Sequence, residues 1–257
     1  MPKKPTIIAL IPARAGSKRL RNKNIQSLSG HPLMAYTIAA ALQSRVFNRV
    51  IVSTDSKRYA DIARHYGAEV PFLRPAGLAG ELSPDIEWVC YTLERLRDEG
   101  TSYDCFSILR PTSPFRQAAT IKRAWRKFCT QENVDSLRAV EKCRQHPAKM
   151  WLISGNRMRP LLENPAGLPW HSTPYQNLPE VYAQNASLEI AWSRVVFEEG
   201  TIAGREIMPF LTKDCEGFDI NRPEDWLVTQ ELVRTSQASL PYISQSSYPL
   251  KETRTNA

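Results

Sequence analysis

"TIIALIPARAGSKRLRNKN", Thr6 to Asn24, joins an apolar, β-branched run to a loop that carries Arg14, Lys18, Arg19, Arg21 and Lys23. Ile7 to Ile11 contain no polar residue, which predicts a fully buried strand over 6–11, ended by Pro12. Outward from it, MAYTIAAALQS reads as a helix behind Pro32, and RVIVS (49–53) reads as a second buried strand that closes on Thr54 and Asp55. Ser56 is placed to cap a helix running to about His65, with Gly67 ending it and a short apolar segment over 70–73. Ser83 and Pro84 open another helix, with Ile86, Val89, Cys90 and Leu93 at helical spacing, running to Gly100. A strand over 103–109 then enters LRPTSPFR. This alternation predicts an α/β fold with a mainly parallel sheet and helices on both faces, because parallel strands need crossover connections.

The second half is less regular. Between Arg144 and Pro179 the pattern dissolves into Pro-rich sequence, too long for an ordinary loop in a compact domain. We read residues 1–234 as one domain with an inserted excursion over about 142–180. Regular segments return at 186–192, 206–211 and 217–220, followed by a helix behind Pro223. The stretch 235–257, rich in Ser, Gln and Thr, is expected to be mobile.

Composition bounds what such a chain can be. Its 257 residues, 42% of them hydrophobic, can bury a sizeable core, and the net charge is +8. Residues 1–54 hold nine Lys or Arg and no Asp or Glu, so the excess is local rather than spread as a stripe for duplex nucleic acid. That concentration suits a compact polyanion such as a triphosphate, and no nucleic-acid partner is expected. No apolar stretch approaches the roughly 18 to 20 residues of a membrane span, and the basic start lacks a signal-peptide core, so the expected location is the cytoplasm. Five Cys form no CxxC pair, and His31, His65, His146 and His171 show no metal spacing.

The loop after the first strand sits where open α/β sheets bind ligands, at the carboxyl edge. It is neither a Walker loop nor GxGxxG, for it holds the single Gly16. Its parts still suit phosphate: Gly16 lets backbone amides approach, Ser17 offers a hydroxyl, Arg14, Lys18 and Lys23 donate charge-assisted hydrogen bonds, and Asn24 adds an amide. A solvated basic loop is the alternative reading.

PARAGSKRLRNKN closely resembles the signature loop of the acylneuraminate cytidylyltransferases, the CMP-sialic acid synthetases. VSTDS (52–56), RPAGLAGELSPD (74–85), LRPTSPFR (109–116), HPAKMW (146–151), QNLPEVYAQNASLEI (176–190) and FDINRPEDW (218–226) follow in that family's order. The resemblance implies a Rossmann-like nucleotidyltransferase domain with a protruding dimerisation arm, and a homodimer. It implies transfer of CMP from CTP to the anomeric hydroxyl of a sialic-acid-like 2-keto-3-deoxy sugar acid, releasing pyrophosphate, with Mg²⁺ as cofactor. By position, Arg14, Lys23 and Asp219 inherit the catalytic roles. Ala13, Arg14, Gly16, Ser17, Lys18, Asn24, Ser83, Arg110, Pro111 and Thr112 inherit the nucleotide, Gln176, Tyr182, Gln184 and Asn185 the sugar, and Asp219 with Asn221 the metal.

Several positions depart from the family's pattern. Arg110 stands where Gln is common; it cannot accept a hydrogen bond, so either base contacts differ, Arg110 reaches phosphate, or it pairs with a nearby carboxylate in a structural turn. Asn221 replaces the second Asp of a DxD arrangement and brings no negative charge; as an alternative it caps the helix behind Pro223, with Asp219 a structural acceptor. Glu189 stands where a neutral aromatic is common, as a sign of substrate variation or as a strand residue facing solvent. Asp55 reads equally as an edge carboxylate or a helix-start residue. The rival functions are the same chemistry on another sugar acid such as Kdo, or with another nucleotide, and a nucleotide-binding regulatory protein without catalysis.

Overall fold

A computed structural model describes residues 4–17, 19–165 and 167–249. In chain order its strands are β1 (Ile7–Pro12), β2 (Ser27–Leu28), β3 (His31–Pro32), β4 (Arg49–Ser53), β5 (Cys105–Ile108), β6 (Ser136–Lys142), β7 (Trp151–Ser154), β8 (Arg157–Pro160), β9 (Tyr182–Trp192) and β10 (Ile207–Leu211). The helices are α1 (Leu33–Ser44), α2 (Lys57–His65), α3 (Asp85–Asp98), α4 (Ala118–Cys129), α5 (Arg194–Glu199) and α6 (Pro223–Arg234). The chain divides into a large unit, residues 1–139 with 185–257, and a small one, residues 140–184.

Among the described residues the main sheet has the order β10-β6-β9-β5-β1-β4. β1 pairs in parallel with both β4 and β5, while β9 lies antiparallel to β5. Alternate residues of β1 enter two separate cores. Ile7, Ala9 and Ile11 pack with side chains of α1, α2 and α4, whereas Ile8 and Leu10 pack with Trp88, Val89 and Leu93 of α3 and Val195 of α5. Helices on both faces are the reason this strand reads as an unbroken apolar run.

The chain steps from β1 to β4 on one side and then to β5 on the other, so the crevice outside the carboxyl end of β1 is a switch point of the sheet. α2 is capped as expected, Ser56 Oγ accepting from Tyr59 N at 3.4 Å. α4 is an addition to the elements read from the sequence. Residues 217–220 form no strand; they turn and run extended into α6. The N-cap of α6 is Arg222 rather than Asn221, and Asp225 Oδ2 reaches back to accept from the amides of Asn221 and Arg222, both at 2.8 Å.

The stretch expected as a mobile tail is, over 235–249, strapped to the large unit. Gln117 Nε2 donates to Ser239 O, Gln43 Nε2 to Tyr242 O, and Tyr248 N to the Tyr66 hydroxyl, while Ile243 and Tyr248 pack on the core.

The small unit is held by polar bonds more than by a core. Ala148 N donates to His146 Nδ1 at 3.1 Å, so the proton sits on Nε2, which donates to Pro179 O at 2.8 Å. Lys149 Nζ bonds His171 O and Thr173 O, each at 2.7 Å. β7 and β8 form an antiparallel hairpin whose Leu152, Ile153 and Met158 are exposed.

Asp135 ties one edge of the main sheet together. Its Oδ2 accepts from Arg205 N and Glu206 N, its Oδ1 faces Arg194 Nη2 at 2.5 Å, and the two amides hold its carboxyl below the usual carboxylate range. Gly204, at φ +68°, passes so close that a Cβ would lie 2.3 Å from Asp135 Cβ. Gly204→Ala is therefore expected to cost about 2–4 kcal/mol, read by denaturant unfolding. Because folding lowers the Asp135 pKa, its contribution is complete above the unfolded value and disappears as pH falls through the folded one. The stability gap between wild type and Asp135→Asn should narrow below about pH 4, the model carboxylate range.

Candidate active site

A cleft of about 430 Å³ opens at the switch point, between the loop after β1 and the loop after β5. The basic loop is shaped by side chains bonding backbone. Asp55 Oδ1 accepts from Ala15 N at 2.9 Å, Asn24 Nδ2 donates to Arg14 O at 3.2 Å, and Asn22 turns the chain at φ 55° into a single 3₁₀ turn over Lys23–Ile25. Asp55 is thus a loop-fixing carboxylate. Arg14 Nη1 donates to Ala79 O at 3.3 Å, across the cleft mouth, and Arg14, Ser17, Lys23 and Asn24 line the cavity.

Lys23 and the segment before α6 meet at one residue, Ile220. Lys23 Nζ donates to Ile220 O at 2.6 Å, and Ile220 N donates to Thr112 O at 2.9 Å. Ile220 is fully buried, so this clamp joins the basic loop, the LRPTSPFR loop and FDINRPEDW. Burial lowers the Lys23 pKa, an effect that nearby Asp219 opposes. Asn221 Nδ2 donates to Asp219 Oδ2, while Asp219 Oδ1 is buried with no hydrogen-bond partner among the described residues. No group of three or more His, Cys, Asp or Glu placed to hold a metal occurs among the described residues.

The opposite wall carries Ser83, Arg110, Pro111 and Thr112. Ser83 Oγ donates to Gly77 O at 3.2 Å. Arg110 Nη2 pairs with Asp85 Oδ2 and its Nη1 lies 3.1 Å from Glu189 Oε1, so a carboxylate partner, one of the readings the sequence leaves open, is present. Glu189 does not face solvent: it is buried, its other oxygen paired with Arg138 Nη1.

Of the expected nucleotide residues, Ala13 lies under the cleft rather than on it, its amide bonded to Ser53 O. Gly16 has open space around it, since an added Cβ would meet nothing within 4 Å, so packing within the chain does not require glycine there. Lys18 lies outside the described residues. Gln176, Tyr182 and Gln184 belong to the small unit and Asn185 to the large one. Tyr182 OH donates to Glu180, and Asn185 bridges Thr212 Oγ1 and Ser187 N.

Two buried arginines escaped the sequence reading, Arg74 on the cleft and Arg116 in the loop after β5. Arg74 is buried; its Nε donates to Ser53 Oγ and its Nη2 to Ser53 O, both at 3.0 Å, and its guanidinium stacks 4.6 Å above the Trp88 ring. Burial pulls its pKa to about 10. Arg116, fully buried, donates to Thr37 Oγ1 at 2.8 Å and to the carbonyls of Ser187 and Arg110. Burial and then Arg110 push it to about 9, which leaves it cationic at neutral pH. Both stand inside quoted motifs, and a lone Arg among prolines carries no periodic signal of burial.

Comparison with known proteins agrees with this geometry. Residues 8–146 match the family model described as cytidylyltransferase. The chain is 37% identical over 240 residues to the CMP-N,N'-diacetyllegionaminic acid synthase of Legionella pneumophila, covering 91% of this chain and 99% of that one. It is 46% identical over 134 residues to the N-acylneuraminate cytidylyltransferase of Escherichia coli, covering 52% of this chain and 31% of the relative. The solved structure of CMP:2-keto-3-deoxy-manno-octonic acid synthetase complexed with CTP superposes with a TM-score of 0.65 at 11% identity, over 90% of this chain and 99% of that one, which shows a shared fold. With its mixed, mostly parallel sheet and the loops gathered at the switch point, the chain belongs to the cytidylyltransferase family, among its CMP-sialic-acid-synthetase-like nucleotidyltransferases.

Proposed function

We propose that this enzyme transfers CMP from CTP to the anomeric hydroxyl of a nine-carbon, sialic-acid-like sugar acid. The observation that carries the reading is the clamp on Ile220, which ties the segment holding Asp219 to the basic loop and to the LRPTSPFR turn, the two loops that line one cleft. The acceptor class follows the relative named for diacetyllegionaminic acid, which matches almost the whole chain.

In this reading the acceptor oxygen attacks the α-phosphorus, the bond to the β-phosphate breaks, and pyrophosphate leaves. Arg14, Lys18 and Lys23 hold the triphosphate and offset the charge that gathers on the leaving group, which stabilises the transition state more than the ground state. The open room at Gly16 and the hydroxyl of Ser17 let phosphate oxygens approach the backbone. Asn24 acts through the shape of the loop, and Ser83, Pro111 and Thr112 face the nucleoside from the other wall. Gln176, Tyr182, Gln184 and Asn185 are assigned to the sugar by motif position.

Mg²⁺ suits the residues present. A buried carboxylate oxygen of Asp219 with no hydrogen-bond partner among the described residues is a ready ligand, and Mg²⁺ is ordinarily held by one or two carboxylates together with substrate phosphates. Asp219 would hold the ion, with Asn221 steadying the carboxylate; bound there, Mg²⁺ would offset triphosphate charge. The exposed hairpin of the small unit would be covered in a homodimer, and CTP supply with free cysteines fits the cytoplasm.

Pyrophosphate release from CTP and Mg²⁺ should require N,N'-diacetyllegionaminic or N-acetylneuraminic acid; no turnover with any nonulosonic acid would sink the proposal. Arg14→Ala with Lys23→Ala should lower kcat/KM for CTP by about 10²- to 10³-fold. Since burial lowers the Lys23 pKa, its charge is lost at lower pH than in a free lysine, so kcat/KM for CTP should fall on the alkaline side below that range, and Lys23→Arg should flatten the limb. Asn221→Asp places two carboxylates together, so its melting temperature should rise more with added Mg²⁺ than that of wild type. Ile153→Glu with Met158→Glu should halve the mass seen by sedimentation.

A further inference from the structure

Arg110, Glu189 and Arg138 come from neighbouring strands of the main sheet. Arg110 follows β5, Glu189 lies on β9 opposite Ile108, and Arg138 lies on β6. Glu189, with a side chain only 4% exposed, divides its two oxygens between the arginines. Arg110 is the member that reaches the cleft, at 26% exposure, and its other edge is held by Asp85, the most exposed partner at 32%. Asp85 is itself fixed by the Trp88 indole, which donates to its Oδ1 at 2.7 Å.

Such a cluster is a poor device for stability, because desolvating its charges offsets most of what pairing returns and an apolar set would serve as well. What it achieves is orientation: the planar head of Arg110 is fixed in the cleft wall. The cluster is also charge-balanced, two arginines against two carboxylates, so it adds little to the attraction for triphosphate that Arg14, Arg19 and Lys23 exert from the β1 side. A ligand carboxylate fits the guanidinium fork that Asp85 now occupies, and partly exposed Asp85 has solvent to turn its own charge toward. Arg110 and Glu189 are, moreover, two of the departures from the commoner sequence pattern, and in space they are partners.

We propose that Arg110 selects the acceptor by receiving the sugar-acid carboxylate in place of Asp85, with Glu189, backed by Arg138, as the residue that positions it. This rests on the acceptor class proposed above. The test is pyrophosphate release at saturating Mg²⁺, using whichever of N,N'-diacetyllegionaminic and N-acetylneuraminic acid supports turnover, with acceptor and CTP varied separately. Arg110→Gln should raise the acceptor KM by about 10- to 100-fold while the CTP KM stays within about twofold. Glu189→Gln should shift the acceptor KM the same way, and the double variant should be no worse than Arg110→Gln alone, because Glu189 acts through Arg110. The methyl ester of the acceptor, which needs no variant, should be a poor substrate for wild type, and Arg110→Gln should no longer distinguish acid from ester.

A rise in the CTP KM instead, an unchanged acceptor KM in variants that melt as wild type does, or equal use of acid and ester by wild type would each overturn the inference. Turnover by wild type with any of these outcomes leaves the cytidylyltransferase reading standing. Wild type inactive with every nonulosonic acid overturns both.

Discussion

A strand buried on both faces must hand its chain to the solvent at one edge, and β1 does so at Pro12. Every backbone group beyond that point needs a new partner, since a buried unpaired amide or carbonyl is costly. The partners are what build the site: Ser53 O takes the Ala13 amide, Asp55 takes the Ala15 amide, and Asn24 donates to the Arg14 carbonyl. The loop is thereby a shaped wall, in which the heads of Arg14 and Lys23 are each held by a backbone carbonyl. At its far end Lys23 donates to Ile220 O, and the amide of the same residue donates to Thr112 O, so three segments far apart in the chain meet at one buried residue.

The walls around the cleft are stiffened by arginines whose burial the surroundings offset with oxygens of the backbone and of carboxylates. Arg74 is clamped on Ser53 beneath Trp88, Arg116 is wrapped by carbonyls, and Arg110 and Arg138 share Glu189. Charges held so firmly do not need to reorganise as a reaction proceeds, and preorganisation is the larger part of electrostatic catalysis. The small unit follows a different rule. It relies on Lys149, His146 and their carbonyl partners, with an exposed apolar hairpin, and such a unit opens at lower cost than a close-packed core.

The readable part of this molecule was the part governed by local spacing. Short apolar runs announced β1, β4 and β5, Ser56 announced its cap, and the concentration of cations beyond Pro12 announced a loop that borders the cleft, because each of these signals lies within a few residues. Where the sequence misled, a partner that spacing alone does not single out was responsible. Residues 217–220 have strand composition but serve as the clamp on two loops; Asn221 resembles a helix cap, yet Asp225 does that work from inside α6. The polar stretch 235–249 reads as unstructured because its anchors, Gln43, Gln117 and Tyr66, lie more than a hundred residues away.

Sequence by itself determined the α/β alternation, the placing of the basic loop at a strand's carboxyl edge and the family to which its motifs belong, since spacing and residue chemistry are properties of the chain. Only the tertiary structure decided that Glu189 is buried, that Arg110 has two carboxylate partners, and that one Asp219 oxygen has no hydrogen-bond partner among the described residues. Burial and pairing depend on which surfaces the sheet brings together. Charges are written in the sequence, but the dielectric around them is not.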